Sequence, residues 1–182
     1  MSQQSVRRFF REARKKSVPE LAVWPILGLW NFIVPHRCCC CAVPVGERDS
    51  LCQACYPVVR FIDGARCDSC GIPLSHDLKG PQFCAACTST KPPWTRAQSL
   101  VVYDEGSKEM VLGYKRSRRY DVSLSLANWM TALAKDLIGQ SDVVVPVPLH
   151  FLRLAHRRFN QSALLAKNLS AINDITLSLI HI

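Results

Sequence analysis

The sequence predicts an α/β protein in which a cysteine-rich zinc-ribbon segment precedes a domain built on a mostly parallel sheet. Two observations support this fold class. Four Cys-x-x-Cys pairs fall between Cys38 and Cys87, and two β-branched runs alternate with helical patterns in the segment that follows them. The order strand, helix, strand, helix is typical of the first part of a parallel sheet covered by helices.

Length and charge limit the class of protein. The chain has 182 residues, of which 48% are hydrophobic, enough for one ordinary domain or two small ones and too apolar for a disordered tail. Its 23 Lys and Arg outnumber 14 Asp and Glu, which gives a formal charge of +9. This excess favours an anionic partner such as nucleic acid, a nucleotide, pyrophosphate or a lipid surface, although it also serves solubility alone.

A basic and apolar leader is predicted over residues 1–35. Six cations between Arg7 and Lys16 precede the apolar run Leu21 to Val34. That run is interrupted by Pro25 and Asn31, no small-x-small cleavage site follows it, and its 14 residues are fewer than the roughly 20 that a helix needs to span a bilayer. We therefore expect a cytoplasmic protein with no transmembrane span, whose leader packs on the domain or makes a peripheral membrane contact.

The cysteines of residues 36–90 favour metal over disulfides. A disulfide inside Cys-x-x-Cys closes too small a loop to stabilise much, whereas two thiolates three positions apart can bind one tetrahedral Zn²⁺ at about 2.3 Å. Each pair is expected to form a knuckle at a tight turn, and Gly71, directly after Cys70, fits a knuckle that needs a positive φ.

Two structural Zn²⁺ ions follow from pairing the knuckles in sequence order, since each site is then closed by four thiolates and has no open position for catalysis. A cross-braced pairing of the first knuckle with the third also fits the spacing. Cys39 and Cys40 are left as packing residues, alternative ligands or free thiols. The predicted ligands are Cys38, Cys41, Cys52 and Cys55 at one site and Cys67, Cys70, Cys84 and Cys87 at the other.

After residue 90 the sequence pattern changes from cysteine-rich to alternating strand and helix segments. Lys91-Pro92-Pro93 predicts a hinge, because consecutive prolines cannot continue a helix and stiffen a linker. The run Gln98 to Glu105 predicts a strand, and helical spacing of apolar residues predicts a helix from Gly106 to Lys115.

Three further elements are predicted downstream. A helix covers Val122 to Gly139, a buried strand covers Asp142 to Val147, and a second helix covers residues 158–172. The core-facing stripe of the first helix is expected to be Leu124, Ala127, Met130, Leu133, Ala134 and Leu137. The second helix is expected to turn Leu164, Leu165 and Leu169 inward.

The block from Pro146 to Gln161 has the character of an anion-binding loop. The strand before it is ended sharply by Pro146 and Pro148 at its carboxyl end, which is where α/β sheets bind ligands. Arginines and a helix start follow, and both attract phosphate groups. The alternative is a solvated basic turn.

The chain resembles the ComF family of phosphoribosyltransferase-like proteins, which are associated with DNA uptake in competent bacteria. The features that carry the resemblance are the twin-knuckle cysteine segment, Lys115 in "GYKRSRRYD", "PVPL" at Pro146 to Leu149, and "RFNQ" at Arg158 to Gln161. It covers about residues 36–172. It implies a type I phosphoribosyltransferase-like fold over residues 91–176 that follows a double zinc ribbon.

The resemblance also implies a ligand, phosphoribosyl pyrophosphate or another phosphate compound, with Mg²⁺ accompanying it in the complete protein. Single-stranded DNA and DNA-uptake proteins are the further partners that it implies. The residues expected to contact phosphate are Lys115, Pro146, Val147, Pro148, Leu149, Arg153, Arg157, Arg158, Asn160 and Gln161. No catalytic residue is assigned, and the acceptor base stays open.

Two departures from the family pattern bear on activity. Arg158 stands where the family usually has glycine, so we expect another backbone path in this loop. The acidic pair and Thr/Gly-rich turn that bind the ribose 5-phosphate are absent from these 182 residues. Residues 177–182, "LSLIHI", match one reading frame of a sequencing adapter, so we expect a truncated chain that is inactive as a transferase.

The sequence therefore predicts two alternative functions of different classes. One is a zinc-binding phosphoribosyltransferase-family protein linked to DNA uptake or nucleotide metabolism. The other is a non-enzymatic zinc-ribbon protein that binds nucleic acid through its basic surface.

Overall fold

The computed structural model describes residues 35–76, 80–116 and 119–179. The predicted leader, apart from Pro35, and the last three residues of the predicted adapter segment lie outside the described residues. The elements in chain order are α1 (Ala85–Ser89), α2 (Glu105–Arg116), α3 (Asp121–Leu133), α4 (Lys135–Gly139), β1 (Val143–Val144), α5 (Phe151–Arg157), α6 (Gln161–Asn173) and β2 (Thr176–Leu177). None of the helices in the described ranges combines the length and apolar character that a membrane crossing requires.

The cysteine-rich segment consists of two ribbons that are built alike. Each begins with a tight hairpin closed by an isolated antiparallel bridge, Arg37 to Pro44 in the first ribbon and Arg66 to Pro73 in the second. In both hairpins the N–H of the first cysteine donates over 2.8 Å to the carbonyl five residues later. The shared pattern Arg-Cys-x-x-Cys-x-x-Pro carries this repeat in the sequence.

Both hairpins turn through a residue with positive φ directly after the second cysteine. Gly71 has φ +74°, which confirms the expected conformation, and Ala42 adopts φ 66° at the equivalent position. Gly71 is also closely packed, since a Cβ placed there would lie 2.8 Å from the carbonyl oxygen of Ala97. The second ribbon therefore needs glycine for both conformation and space, whereas alanine is tolerated in the first.

One hydrophobic core joins the first ribbon to helices α2 and α3. Trp129 is fully buried and packs edge-on against Phe61 with ring centroids 5.4 Å apart. The buried members of the core are Cys39, Val59, Met110, Tyr114, Val122, Leu126 and Trp129. Because ribbon and helix side chains share this cluster, neither part buries its apolar surface without the other.

The predicted strand from Gln98 to Glu105 is wrong in extent. Val101 makes an isolated antiparallel bridge with Phe61, and Glu105 already begins α2. Asp104 causes the early turn, because its Oδ1 accepts the N–H groups of Gly106 and Ser107 at 3.1 and 3.2 Å. This is an N-terminal helix cap. The predicted helix over residues 106–115 is confirmed as α2.

The predicted helix from Val122 to Gly139 is divided at Ala134 into α3 and α4. Its core-facing stripe is only partly right, because Leu124 is 44% exposed whereas Ala127 is fully buried. The face that α3 buries also carries Ser125 and Trp129, both of which hydrogen bond to the first ribbon. These contacts rotate the helix away from the orientation that the apolar stripe alone predicts.

The sheet is small. β1 and β2 pair in parallel, with Val143 opposite Thr176 and Val144 opposite Leu177, and α5 and α6 form the connection between them. The predicted strand from Asp142 to Val147 shortens to two residues, and its expected burial is wrong, since Val147 is 72% exposed. A parallel crossover is thus present, while the type I phosphoribosyltransferase-like sheet is not confirmed.

The helix predicted over residues 158–172 begins three residues later and is preceded by α5, which the periodicity did not predict. Arg158 is the C-cap of α5 and has φ 62°. Arg158 thus takes the left-handed conformation that glycine normally supplies at the end of a helix, and the expected change of backbone path in this loop stays a prediction.

We expect Arg158→Gly to stabilise the protein by about 0.5–1 kcal/mol, because the left-handed conformation costs an L-residue roughly 1–2 kcal/mol and the unfolded-state entropy of glycine offsets part of that gain. Arg153→Gly, inside the same helix, should instead destabilise it by about 1 kcal/mol. Urea denaturation of the three proteins measures both changes. Equal destabilisation by the two variants would contradict the assigned conformation.

Candidate metal centres and anion-binding surface

The eight predicted ligands form two separate quartets. Cys38, Cys41, Cys52 and Cys55 make up the first, and Cys67, Cys70, Cys84 and Cys87 make up the second. Within each quartet all four Sγ atoms lie within 4.8 Å of one another. The knuckles therefore pair consecutively, and the cross-braced alternative does not describe this structure.

The quartets fit tetrahedral zinc. Four sulfurs at 2.3 Å from one ion are separated by about 3.8 Å, and the structure places Cys41 Sγ 3.5 Å from Cys52 Sγ and Cys70 Sγ 3.7 Å from Cys84 Sγ. Four thiolates complete the coordination, so these sites suit structural Zn²⁺ and leave no position for a substrate.

A backbone amide donates to the sulfur of the first cysteine of each ribbon. The N–H of Cys52 donates to Cys38 Sγ at 3.2 Å, and the N–H of Cys84 donates to Cys67 Sγ at 3.3 Å. Although burial opposes it, hydrogen bonds from the backbone of Cys70 and Cys84 lower the pKa of Cys67 to about 6. Amides aimed at sulfur thus prepare the second site for a cation.

Two of the other ligands, one in each quartet, show why a cation is required. Loss of surrounding water, followed by hydrogen bonds with the neighbouring thiols, raises the pKa of Cys87 to about 12. The pKa of Cys55 is raised for the same reasons. Four thiols this close cannot all ionise unless a positive ion balances their charge, and a coordinated thiol is deprotonated outright.

Cys39 and Cys40 are packing residues. Cys39 is 3% exposed, and burial raises its pKa to about 12, so its thiol stays protonated at neutral pH. Cys40 lies against α2, with its Sγ 3.9 Å from the carbonyl oxygen of Gly106. Of the three roles left open by the sequence, the structure supports packing.

Asp49 attaches the first ribbon to α3, and sequence reasoning did not identify it. Its carboxylate accepts hydrogen bonds from Ser125 Oγ at 2.6 Å and from Asn128 Nδ2 at 2.8 Å. Its backbone carbonyl accepts a hydrogen bond from Trp129 Nε1 at 3.1 Å. Arg119 adds a bond from Nη1 to the carbonyl of Cys38 at 3.1 Å. The first metal centre is therefore joined to the helical core through its own backbone.

The second ribbon is attached to a loop instead. The carbonyl of Ser69 accepts the N–H of Ala97 at 2.8 Å and Trp94 Nε1 at 3.1 Å. Both donors follow the Pro92-Pro93 segment. The two metal centres thus differ in their connection to the core, although their ligand sets are equivalent.

Gln161 hydrogen bonds with two other predicted phosphate residues, Lys115 and Arg157. Its Nε2 donates to the carbonyl of Lys115 at 2.9 Å, and its Oε1 accepts Arg157 Nη1 at 3.3 Å. Its own carbonyl accepts Tyr114 Oη at 2.7 Å. The carboxyl ends of α2 and α5 and the start of α6 therefore meet at one point, which we name the helix junction.

Asn160 lies at the helix junction and caps α6. Its Oδ1 accepts the N–H groups of Ser162 and Ala163 at 3.0 and 3.2 Å. Its Nδ2 is buried and, among the described residues, has no hydrogen-bond acceptor. A buried amide nitrogen without a partner is rare in native proteins and calls for an explanation, such as a water or an ion that supplies the acceptor.

The other predicted phosphate residues, apart from Arg158 at the C-cap of α5, lie away from the helix junction. Pro146, Val147, Pro148 and Leu149 follow β1 at its carboxyl end, and α5, roughly 10 Å long for its seven residues, separates them from the helix junction. Arg153 is exposed in the middle of α5, one turn before Arg157. Arg158 is exposed at the end of α5.

Among the described residues, no cluster of three or more oxygen ligands supports Mg²⁺, which proteins often hold through only one or two carboxylates together with the phosphates of a substrate. The two cysteine quartets are the groups in these ranges where three or more His, Cys, Asp or Glu side chains come within metal-binding reach of one another. Thiolates are soft ligands that select zinc, whereas Mg²⁺ prefers oxygen.

Comparison with known proteins agrees with the metal centres. The model of the Double zinc ribbon domain matches residues 29–94. The chain is 31% identical over 144 residues to DNA utilization protein YhgH of Salmonella typhimurium, with 75% of this chain and 61% of the relative covered. The corresponding protein of Escherichia coli K12 is 30% identical over 143 residues, with the same coverage.

Competence protein F of Haemophilus influenzae is 24% identical over 156 residues, covering 82% of this chain and 64% of that protein. The chain thus spans less than two thirds of the length of these relatives. No solved structure matches the chain.

Proposed function

We propose a DNA-handling role for this chain, which belongs to the ComF family of proteins with an N-terminal zinc ribbon. The relatives named as DNA utilization and competence proteins support a part in DNA uptake or use. The zinc ions are structural in this account. Ten free cysteines are typical of the reducing cytoplasm, which we take as the location.

The helix junction is the proposed anion site, and the buried Nδ2 of Asn160 is the observation that carries it. Asn160 directly precedes Gln161, which contacts Arg157 and the end of α2, where Lys115 and Arg116 are exposed. A phosphate or pyrophosphate oxygen would satisfy the amide and be held by the cations. In the complete protein the proposed ligand is phosphoribosyl pyrophosphate.

The residues of this chain would bind and orient such a ligand. Arg157 is held against Gln161, so its guanidinium is already positioned before an anion arrives, which lowers the entropic cost of binding. Pyrophosphate leaves with negative charge in a phosphoribosyl transfer, and fixed cations stabilise that charge. Any Mg²⁺ would enter with the ligand.

In the complete protein, Arg157→Ala should weaken phosphoribosyl pyrophosphate binding by about 1–3 kcal/mol, the scale of a charge-assisted hydrogen bond. Titration calorimetry measures the change, and both zinc ions should remain because Arg157 lies outside the two quartets. Arg48→Ala, at an exposed arginine of the first ribbon, serves as the control and should bind normally.

Asn160→Asp tests the same site with less disturbance of the fold. The aspartate oxygen keeps the cap on α6 while the amide donor is replaced by a negative charge. Anion binding should be lost with little change in the unfolding midpoint. If Arg157→Ala and Asn160→Asp both bind phosphoribosyl pyrophosphate as the wild type does, the helix junction is a solvated basic turn and not an anion site.

Nucleic-acid binding without enzymatic activity is the second candidate. It is favoured by exposed aromatic side chains on the second ribbon and its following loop, where Phe83 is 55% and Trp94 is 49% exposed. Salt-sensitive binding of single-stranded DNA, with no response to phosphoribosyl pyrophosphate, would favour this function over the first.

A further inference from the structure

The second ribbon has an open cleft of about 460 Å³ on its surface. Its walls come from the two ends of the ribbon and from the loop after it. The lining residues are Asp68, Gly80, Pro81, Phe83, Thr95 and Arg96. The cleft lies outside the zinc site, because none of the four ligands of this ribbon lines it.

Phe83 is exposed at a position that is used for packing in the first ribbon. It directly precedes the ligand Cys84, as Leu51 directly precedes Cys52. Leu51 packs against the hydrophobic core, whereas the ring of Phe83 is 55% exposed and faces the cleft. An exposed ring that shares a cleft with Pro81 and with the charged residues Asp68 and Arg96 forms an apolar surface with a polar rim, which is the kind of surface that marks binding sites.

The cleft is held in shape by short backbone bonds. The N–H of Asp68 donates to the carbonyl of Gln82 at 2.8 Å, and the N–H of Gln82 donates to Asp68 Oδ2 at 2.6 Å. The N–H of Cys84 points at Cys67 Sγ. Phe83 is therefore held on one side by Gln82, which is bonded to Asp68, and on the other by the zinc ligand Cys84. Because its backbone is already fixed, little conformational entropy is lost when a ligand stacks on the ring.

The loop side of the cleft supplies positive charge, and a second exposed aromatic residue, Trp94, lies in the same loop outside the lining. Arg96 is exposed and lines the cleft. Trp94 is bound through Nε1 to the carbonyl of Ser69, next to Asp68. A ring surface and a guanidinium within one cleft match a nucleobase and its phosphate, the two parts of a nucleotide that single-strand binding proteins contact.

We infer that this cleft binds a nucleotide of single-stranded DNA, with the base stacked on Phe83 and the adjoining phosphate held by Arg96. The inference rests on the proposed DNA role and names the surface that would serve it. A base in a duplex is stacked on both faces and cannot enter, so single strands are selected. Asp68 gives the cleft a hydrogen-bond acceptor for the amino groups of cytosine, adenine or guanine.

Fluorescence anisotropy with a labelled DNA oligonucleotide of about 12 nucleotides tests the inference on the full chain. Phe83→Ala should weaken binding by about 5- to 150-fold, the range for loss of one stacking ring. Arg96→Gln should reduce the salt dependence by roughly 0.7 in the log–log slope, one phosphate contact on a single strand. Phe151→Ala removes a ring that is 70% exposed on α5 and should have no effect.

The outcomes separate this inference from the proposed function. If the wild-type chain binds the oligonucleotide and Phe83→Ala binds equally well with both zinc ions retained, the cleft is not the site while the DNA role stands. Duplex DNA of the same length binding as tightly as the single strand would also overturn the inference. If the wild-type chain binds no single-stranded DNA, the DNA role itself fails for this chain and the cleft with it.

Discussion

Cys52→Ser should release one zinc ion and unfold both the first ribbon and the helices that pack on it. Coordination supplies folding energy, of the order of 10–16 kcal/mol for a structural zinc, which exceeds the whole stability of a typical domain at about 5–15 kcal/mol. The first ribbon contributes Cys39 and Val59 to the core that holds α2 and α3. Loss of its metal therefore removes one wall of that core.

Cys84→Ser is the matched variant in the second ribbon, where Cys84 occupies the place of Cys52. It should also release one zinc ion, but α2 and α3 should remain folded. The reason is that this ribbon is attached through Ser69 to the loop at Trp94 and Ala97 rather than to those helices. Helical circular dichroism and zinc content of both variants measure the difference. Cys39→Ser, at a packing cysteine, should keep both zinc ions.

Equal loss of helix in Cys52→Ser and Cys84→Ser would show that the two ribbons contribute alike to the core. Loss of zinc from Cys39→Ser would show that the ligand set is wrong. Either result would require a different connection between metal and fold from the one that Asp49 and the shared core provide.

Gly106→Ala should destabilise the protein by about 3 kcal/mol or more, as forced overpacking does in a well-packed core. A Cβ on Gly106 would overlap the carbonyl oxygen of Val58 and lie 2.7 Å from its carbonyl carbon. Backbone cannot rotate away as a flexible side chain can, so α2 would have to separate from the first ribbon. Chemical denaturation measures the loss.

Gly113→Ala in the same helix is the control. Among the described residues, no atom outside the adjoining backbone of α2 lies within 4 Å of a Cβ placed there, so the substitution adds helix propensity alone and should stabilise by about 1 kcal/mol. Opposite signs for these two changes are expected. The same sign for both would mean that α2 does not approach Val58 as closely as the structure describes.

The metal centres could be predicted from the sequence because their information is local. Cys-x-x-Cys fixes two thiolates on one knuckle, and the spacing between knuckles limits how they pair. The choice between consecutive and cross-braced pairing could not be made, since both close the same number of ligands. It depends on how the hairpins at Arg37 to Pro44 and Arg66 to Pro73 fold back, which is a property of the three-dimensional chain.

The orientation of α3 could not be predicted because a polar contact decides it. Periodicity placed Leu124 in the core, yet Ser125 and Asn128 turn toward Asp49, 76 and 79 residues earlier in the chain. The strand at residues 98–105 failed for a similar reason, since Asp104 caps α2 and ends the extended segment. Neither partner is visible in a local apolar pattern.

The sequence predicts the residues of the helix junction but not the way in which they come together. The sequence predicts an anion-binding loop from Pro146 to Gln161, but α5 divides it, because His150 and Arg158 cap the two ends of a short helix. Gln161 joins Lys115 through a backbone carbonyl, a contact over 46 residues that no spacing rule contains. The residues that meet there, Lys115, Arg157, Asn160 and Gln161, were each among the predicted phosphate contacts.

X-ray absorption at the zinc edge, with metal analysis of the same sample, tests the central claim that two consecutive cysteine quartets each hold one structural zinc ion. The account predicts two zinc ions per chain and a shell of four sulfur ligands at about 2.3 Å, with no nitrogen or oxygen neighbour. Fewer than two zinc ions, a mixed ligand shell, or recovery of these eight cysteines as cystines would contradict it.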